Sequence, residues 1–327
     1  MHAIQVRQFG PSHVLQTSDI PVPTPGSGQI RVAIHAAGVN PLDTYIRSGA
    51  YSKLPPLPYT PGFDGAGVVD SVGAEVHGFA LGQRVYVSGS LTGTYAQFAL
   101  CAPSQVHPLP EPLSFAQGAA LGIPYATADF ALRSRGRAAS GELLLIHGGT
   151  GAVGSAALQI ARSIGMRVLV TGGTEAGRKL ALDNGAEAVF DHTLDNYEAG
   201  LLSATQGLGF HLVLEMLANV NLARDLRLVA HSGRIVVVGS RGPAEIQPRE
   251  LMLRNADILG VMLLNAPQEE LRKIHERLQK GALQGHVKPV ISQFFPLALA
   301  HQAHDRILQN GVNGKLVLLP WESAQQG

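Results

Sequence analysis

A chain of 327 residues with only 15% charged residues and a formal net charge of +1 is long enough for two domains that each bury a core. It lacks the basic face that nucleic-acid binding requires. Its single cysteine, Cys101, excludes an internal disulfide and cannot furnish a thiolate-rich zinc site; it reads as a small buried hydrophobe rather than a reactive thiol.

The first segment, Met1-His-Ala-Ile-Gln-Val-Arg7, has no apolar signal core and no polybasic or lipidation motif, so a cytoplasmic location is expected. Ile30-Arg-Val-Ala-Ile34, Gly67-Val-Val-Asp-Ser-Val72, Arg84-Val-Tyr-Val87 and Tyr95-Ala-Gln-Phe-Ala-Leu100 are short strands parted by Gly/Pro turns, which predicts a compact β-rich domain over 1-121. Over 122-266 strands alternate with helices. The strands Leu143-Ile146, Val168-Thr171, Ala188-Phe190, Leu212-Glu215, Arg234-Val238 and Ile258-Leu264 are the six expected of a doubly wound α/β dinucleotide-binding domain. Residues 267-327 carry an amphipathic helix over Gln268-Leu278, a strand over Val287-Ile291, a helix over Ala298-Leu308 and a strand over Leu316-Leu319, a mixed tail that returns to the first domain. The uncharged stretch from Leu143 to Ala161 is not a membrane span, because four glycines and a histidine interrupt it and its periodicity changes halfway.

Within the middle segment, Leu143-Leu-Leu-Ile-His-Gly-Gly-Thr-Gly-Ala-Val-Gly154 runs a strand directly into Gly149-x-Gly151-x-x-Gly154, followed by a helical stretch. A glycine triad alone is weak, but strand, triad and helix together make the turn that holds a dinucleotide pyrophosphate on backbone N–H groups. An NAD-binding unit places a carboxylate about 20 residues past the glycines; here Gly172-Gly173-Thr174 stands at the end of the second strand. Nothing there repels a 2'-phosphate, and Arg178 and Lys179 follow at the start of the next helix. NADPH is the expected cofactor. Glu175 would favour NAD if the turn ran one residue differently, and a solvated helix face is the duller reading of Arg178 and Lys179.

Five blocks carry a family resemblance: Ala37-Gly-Val-Asn-Pro-Leu-Asp-Thr-Tyr-Ile-Arg-Ser-Gly49, Pro58-Tyr-Thr-Pro-Gly62, Gly122-Ile-Pro-Tyr-Ala-Thr-Ala128, Glu215-Met-Leu-Ala-Asn-Val-Asn221 and Val237-Val-Gly-Ser-Arg-Gly242. In this order they resemble the zeta-crystallin-type quinone oxidoreductases, the zinc-free branch of the medium-chain dehydrogenase/reductases. The resemblance spans nearly the whole chain. It implies a GroES-like catalytic domain, a Rossmann domain, a cofactor in the cleft between them, and NADPH-dependent quinone reduction in which a semiquinone can be the product. Zinc-dependent relatives carry Gly-His-Glu and a four-cysteine lobe; Gly62-Phe-Asp64 takes the first position here and the lobe is missing, so no metal is expected.

The resemblance further implies that Asn40 and Tyr45 line the nicotinamide side and that Thr127 holds the carboxamide. Thr150, Gly151, Ala152 and Val153 form the pyrophosphate loop, and Gly173 and His192 lie at the adenosine end. Asn219 and Asn221 follow the fourth strand, and Val238, Gly239, Ser240, Arg241, Val261, Met262 and Leu263 reach or support the nicotinamide half. Asn40 and Thr127 have a rival reading as turn residues satisfying the backbone, Tyr45 as a passive wall, and His192 as a loop histidine. Asp43 and Asp64 read as turn or cap residues rather than general bases.

Two other functions remain open on this scaffold. An enone or enoyl-thioester reductase would use the same hydride but needs an acid for the alpha carbon and a donor at the carbonyl oxygen, either of which Tyr45 can supply. A crystallin-like or RNA-binding role runs against the neutral charge and the lack of an aromatic-basic stripe. The apolar run Ile258-Leu-Gly-Val-Met-Leu-Leu264 at a sheet edge predicts a homodimer, with a tetramer the alternative that the family allows.

Overall fold

A computed structural model describes residues 1–321 as two compact units: residues 124–274 form one, and residues 1–123 with 275–321 form the other. Among the described residues no helix is long and apolar enough to cross a membrane.

The 124–274 unit is built on six parallel strands, Leu143–Ile146, Arg167–Thr171, Ala188–Phe190, Phe210–Glu215, Val229–Val237 and Asp257–Gly260. Numbered along the unit they lie in the order 3-2-1-4-5-6, that of a complete dinucleotide-binding sheet. Leu144, Leu145, Ile146, Leu212, Val213 and Leu214 are fully buried, as strands covered on both faces must be. The last strand stops at Gly260 and residues Leu263–Asn265 form a 3-10 turn. The predicted run to Leu264 is therefore too long: Val261 still donates to Val237 O at 3.0 Å, but no further parallel pairing follows it.

The other unit carries a seven-stranded sheet in which Ile30–Val39 and Asp64–Val72 pair antiparallel at the centre. Arg84–Ser88, Phe98–Cys101 and Val106–Pro108 extend it. The chain returns through Ile291–Pro296 and Lys315–Leu319, the second of which pairs with the end of the central strand, Leu316 opposite Val39. The two strands of the tail thus join this sheet, the first beginning at Ile291, where the predicted segment from Val287 ends, while residues 267–274 belong to the 124–274 unit. Helix Pro41–Ser48 starts directly after the central strand. Pro41 suits the first helical position, the Asp43 carboxylate accepts from Asn40 N–H at 2.8 Å, and Gly49 ends the helix at φ +82°.

Antiparallel pairing sets Lys315 beside Asn40, in the interior. Its ammonium is 1% exposed and donates to Asp64 Oδ2 at 2.6 Å and Asn40 Oδ1 at 2.5 Å. Asn40 Nδ2 donates to the same Asp64 oxygen at 3.0 Å, while Asp64 Oδ1 accepts from Ile123 N–H at 2.7 Å. Gly38 makes room for the lysine stem, since a Cβ there would stand 2.5 Å from Lys315 Cε and 2.1 Å from Ala119 O.

A buried charge deprived of its partner is costly, so Lys315→Met is expected to destabilise the protein by about 3–5 kcal/mol. In an Asp64→Asn background, where no carboxylate is stranded, the same change should cost clearly less. Thermal unfolding of the four proteins measures the coupling, and additive losses would contradict it.

Candidate functional site

In the 124–274 unit the glycine loop leaves the sheet where strand order reverses, the switch point at which open α/β sheets bind ligands. A Cβ on Gly149 would lie 2.3 Å from Val170 Cγ1, and one on Gly154 would lie 2.5 Å from Gly148 O. These two glycines let the loop fold against the neighbouring strand and let the helix approach the loop. A Cβ on Gly151 would meet nothing nearer than Gly148 O at 3.7 Å. Helix Ala152–Ile164 begins there, so the amides of its first turn are directed along the axis without intrahelical acceptors. Thr150, Gly151, Ala152 and Val153 are thus brought together at a helix N-terminus suited to a pyrophosphate.

At the end of the second strand, Gly172-Gly173-Thr174 turns into helix Glu175–Asp183, and Thr174 Oγ accepts from Gly177 N–H at 3.2 Å. His192 lies against Gly173, for a Cβ on Gly173 would be 2.9 Å from His192 Nε2. Burial lowers the His192 pKa. Arg178 folds back over this turn, donating to Gly172 O at 3.3 Å and Asp191 Oδ2 at 2.6 Å. Lys179 instead pairs with Asp183 at 3.0 Å one turn along the exposed face. Of the two basic residues singled out in sequence, only Arg178 joins Gly173 and His192.

The loops after the fourth to sixth strands are tied together by their own polar groups. Asn219 Oδ1 accepts from Arg241 N–H at 2.9 Å, Ala218 N–H donates to Gly239 O at 2.9 Å, and Val238 N–H donates to Glu215 O at 2.8 Å. Asn221 is bound at both ends, Nδ2 to Glu215 Oε1 at 3.1 Å and Oδ1 to Arg224 at 3.2 Å. Both asparagines therefore brace the loops. Ser240 donates to Gly242 O at 2.8 Å, Met262 is half-exposed and Leu263 is buried.

Beneath these loops lies a buried cluster that sequence reading passed over. His147 directly precedes the glycine loop and places Nε2 2.9 Å from Asp225 Oδ1 and 3.8 Å from Glu215 Oε2. Its Nδ1 is 3.4 Å from the Thr171 hydroxyl, which accepts from Gly148 N–H at 3.2 Å. Glu215 also accepts from Leu217 N–H. The three side chains are close enough to share a cation. Burial favours protons instead: it lowers His147 and raises Glu215 and Asp225, each to about 7, and the two carboxyls hydrogen-bond when one is protonated. The signal in sequence is slight, a histidine before the glycines and a carboxylate at the end of the fourth strand.

In the other unit, Asn40 is 3% exposed and its amide is held by Lys315 and Asp64. Tyr45 is half-buried on helix Pro41–Ser48. Asp43 and Ile46 of that helix line a pocket of about 620 Å³. Thr127, on Ala126–Asp129, is buried and belongs to the 124–274 unit. At Gly62-Phe63-Asp64 a zinc site finds no fit. Phe63 offers no ligand atom, and the Asp64 carboxylate is taken by the Lys315 ammonium, the Asn40 amide and a backbone N–H.

Residues 26–111 match the family described as alcohol dehydrogenase GroES-like domain, and residues 152–280 match the one described as zinc-binding dehydrogenase. The chain is 50% identical over 323 residues to a quinone oxidoreductase of Mus musculus and 47% identical over 321 residues to one of Homo sapiens, each alignment covering 98% of both chains. It is similar, at 27% identity and a TM-score of 0.89, to the crystal structure of Escherichia coli quinone oxidoreductase complexed with NADPH, covering 98% of this chain and 100% of that one. With a parallel sheet of order 3-2-1-4-5-6 in one unit and a GroES-like match in the other, and with relatives at this identity along its length, the chain belongs to the zeta-crystallin-type quinone oxidoreductases of the medium-chain dehydrogenase/reductase superfamily.

Proposed function

We propose that this protein reduces quinones with NADPH and without a metal ion. The observation that carries the metal-free reading is Lys315: a resident ammonium neutralises Asp64, where zinc-dependent relatives have the glutamate of Gly-His-Glu. A quinone needs no Lewis acid, because its reduced ring is aromatic and positioning supplies most of what remains. NADPH supplies a hydride when bound. Thr150 to Val153 hold its pyrophosphate, Gly173, Arg178 and His192 the adenosine ribose and 2'-phosphate, and Thr127 the carboxamide. Residues 238–241 and 261–263 support the nicotinamide half, with Asn219 and Asn221 bracing those loops. Asn40, immobilised by Lys315, and Tyr45 face the reacting ring, Tyr45 as a wall. The enone, enoyl-thioester and RNA-binding readings gain no support from these contacts. Domain boundaries of 1–121, 122–266 and 267–327 go with the proposal, as does a cytoplasmic location, which suits a single free and buried Cys101.

Arg178 gives the cofactor preference its size. Charge-assisted hydrogen bonds are worth about 1.5–3 kcal/mol each, so at least roughly tenfold tighter binding of NADPH than NADH is expected even after losses to the Asp191 pair. Cofactor oxidation with ortho-quinones, para-quinones, enones and enoyl thioesters, before and after chelation, tests the assignment. Quinones should be the best acceptors and turnover should survive the chelator; restoration by added zinc would overturn the metal-free reading.

Tyr45→Phe keeps the ring, and quinone turnover should stay within a few-fold of the unsubstituted protein. A loss of about 10²-fold with NADPH affinity unchanged would place the hydroxyl in the chemistry.

A homodimer is proposed from the sheet edge at Asp257–Gly260, next to which Met262 and Leu264 are 48% and 49% exposed. Light scattering at micromolar concentration should give twice the chain mass, or four times for a tetramer; a stable monomer contradicts it.

A further inference from the structure

Two acids and an imidazole with no part in the proposed chemistry meet beneath the glycine loop. Glu215 and Asp225 are fully buried and His147 nearly so. Each acid has one oxygen in use: Glu215 Oε1 accepts from Leu217 N–H and from Asn221 Nδ2 at 3.1 Å, and Asp225 Oδ1 lies 2.9 Å from His147 Nε2. The others, Glu215 Oε2 and Asp225 Oδ2, are buried with no donor to accept from. Two carboxylates in that state would set like charges together in a dry interior. A single proton between them supplies the missing donor and leaves one charge.

From that proton outwards each donor has one direction. Burial lowers His147 and keeps its ring neutral, so with Nε2–H donated to Asp225 the other nitrogen, Nδ1, is an acceptor. The Thr171 hydroxyl, 3.4 Å away, donates to it, and the same oxygen accepts from Gly148 N–H at 3.2 Å. Thr171 O accepts from Gly149 N–H at 3.1 Å, and Gly148 O accepts from Gly151 N–H at 3.2 Å. Gly148 stands at φ +61° and has no side chain to fix its peptide, so the bond to Thr171 sets how the loop begins. On the other side, Leu217 and Asn221 belong to the start of helix Ala218–Leu228, which carries Asp225.

We propose that Asp225 and Glu215, sharing one proton, are positioning residues for the cofactor: through His147 and Thr171 they hold Gly148 N–H, and with it the glycine loop, in the form that accepts a dinucleotide pyrophosphate. The inference rests on the reading that places the NADPH pyrophosphate at Thr150 to Val153. A loop already in its bound shape loses no ordering free energy when the cofactor arrives.

Cofactor affinity then depends on pH. Burial raises both acids, each to about 7. Around them, His147 lowers Glu215, Arg224 lowers Asp225 and Glu198 raises it. Tyr197, which accepts from Arg224 at 2.8 Å, is raised by burial and stays neutral, and His192, from the turn after the third strand, is lowered by burial and feels His147. As pH rises through about 7 the shared proton is lost, a second negative charge enters the cluster, and the acids part. The proton belongs to the competent form, so affinity falls as pH rises.

Fluorescence titration with NADPH and NADH measures this. In the unsubstituted protein both Kd values should rise by about tenfold between about pH 6 and about pH 8.5, as loss of one linked proton dictates. A titrating 2'-phosphate would act on NADPH alone. Thr171→Val keeps the branched side chain and removes only the hydroxyl; it should weaken both cofactors roughly three- to tenfold at low pH, the worth of one buried hydrogen bond, and flatten the profile. Asp225→Asn sets an amide N–H where the shared proton was, so its affinity should stay within a few-fold of the low-pH value across the range. Asp225→Leu, with neither donor nor acceptor, should bind as weakly as Thr171→Val throughout. If Asp225→Asn fails to fold, Glu215→Gln makes the same exchange from the other acid and should give the same flat profile. A flat profile in the unsubstituted protein, a rise that persists in Asp225→Asn, or full affinity in Thr171→Val overturns the proposal. Gly151→Ala tests the underlying reading separately, because its Cβ would meet nothing nearer than 3.7 Å in the protein and would occupy the space of the pyrophosphate. Unchanged affinity in that variant refutes the placement of the pyrophosphate instead.

Discussion

The ammonium of Lys315, enclosed between Asp64 and Asn40, joins three parts of one unit that are far apart in sequence: the returning C-terminal strand, the end of the central strand with the helix it feeds, and the strand from Asp64. Ile123 N–H closes the ring of donors on Asp64 Oδ1. A fully buried ion pair contributes modest net stability but makes alternatives expensive, because any register that separates the partners strands a charge in the interior. It also fixes which way the Asn40 amide points. The first turn of helix Pro41–Ser48 starts from that residue, so the positions of Asp43 and Tyr45 descend from the same contact.

The dinucleotide-binding unit relies on a second dry polar interior, where His147, Asp225 and Glu215 share protons at the switch point of the sheet. Through Thr171 the cluster reaches Gly148, and through Glu215 it reaches Leu217 and Asn221. It therefore connects the glycine loop with the loops that follow the fourth and fifth strands. With burial raising both acids and lowering the imidazole, the group is held together by hydrogen bonds rather than by a full charge. Low dielectric strengthens such bonds where all members are satisfied.

Legibility in sequence followed the range of the interaction involved. Ala188–Phe190 and Leu143–Ile146 form over the segments read from pattern alone, because short apolar runs between turn residues have few alternatives. Local reasoning overran at Ile258–Leu264, where hydrophobicity continues after strand pairing has stopped, and began too early at Val287, since pairing of Ile291–Pro296 depends on a strand some twenty residues later. The two basic residues after Gly173 looked equivalent as neighbours on a helix. They face different carboxylates, Asp191 and Asp183, and the first of these comes from the turn after another strand.

By itself the sequence determined the class of each unit, the glycine loop and the want of thiolates for zinc, since these depend on composition, short-range periodicity and backbone sterics that one segment carries alone. Only the tertiary structure decided that Lys315 neutralises Asp64, that Asn219 and Asn221 brace loops, and that Asp43, legible as a helix cap, keeps a second oxygen buried without a partner. Each of these facts is a pairing or a desolvation between residues from separate segments. The charge state and hydrogen-bonding of a side chain are set by what surrounds it in space, and the order of residues along a chain does not state that until the chain has folded.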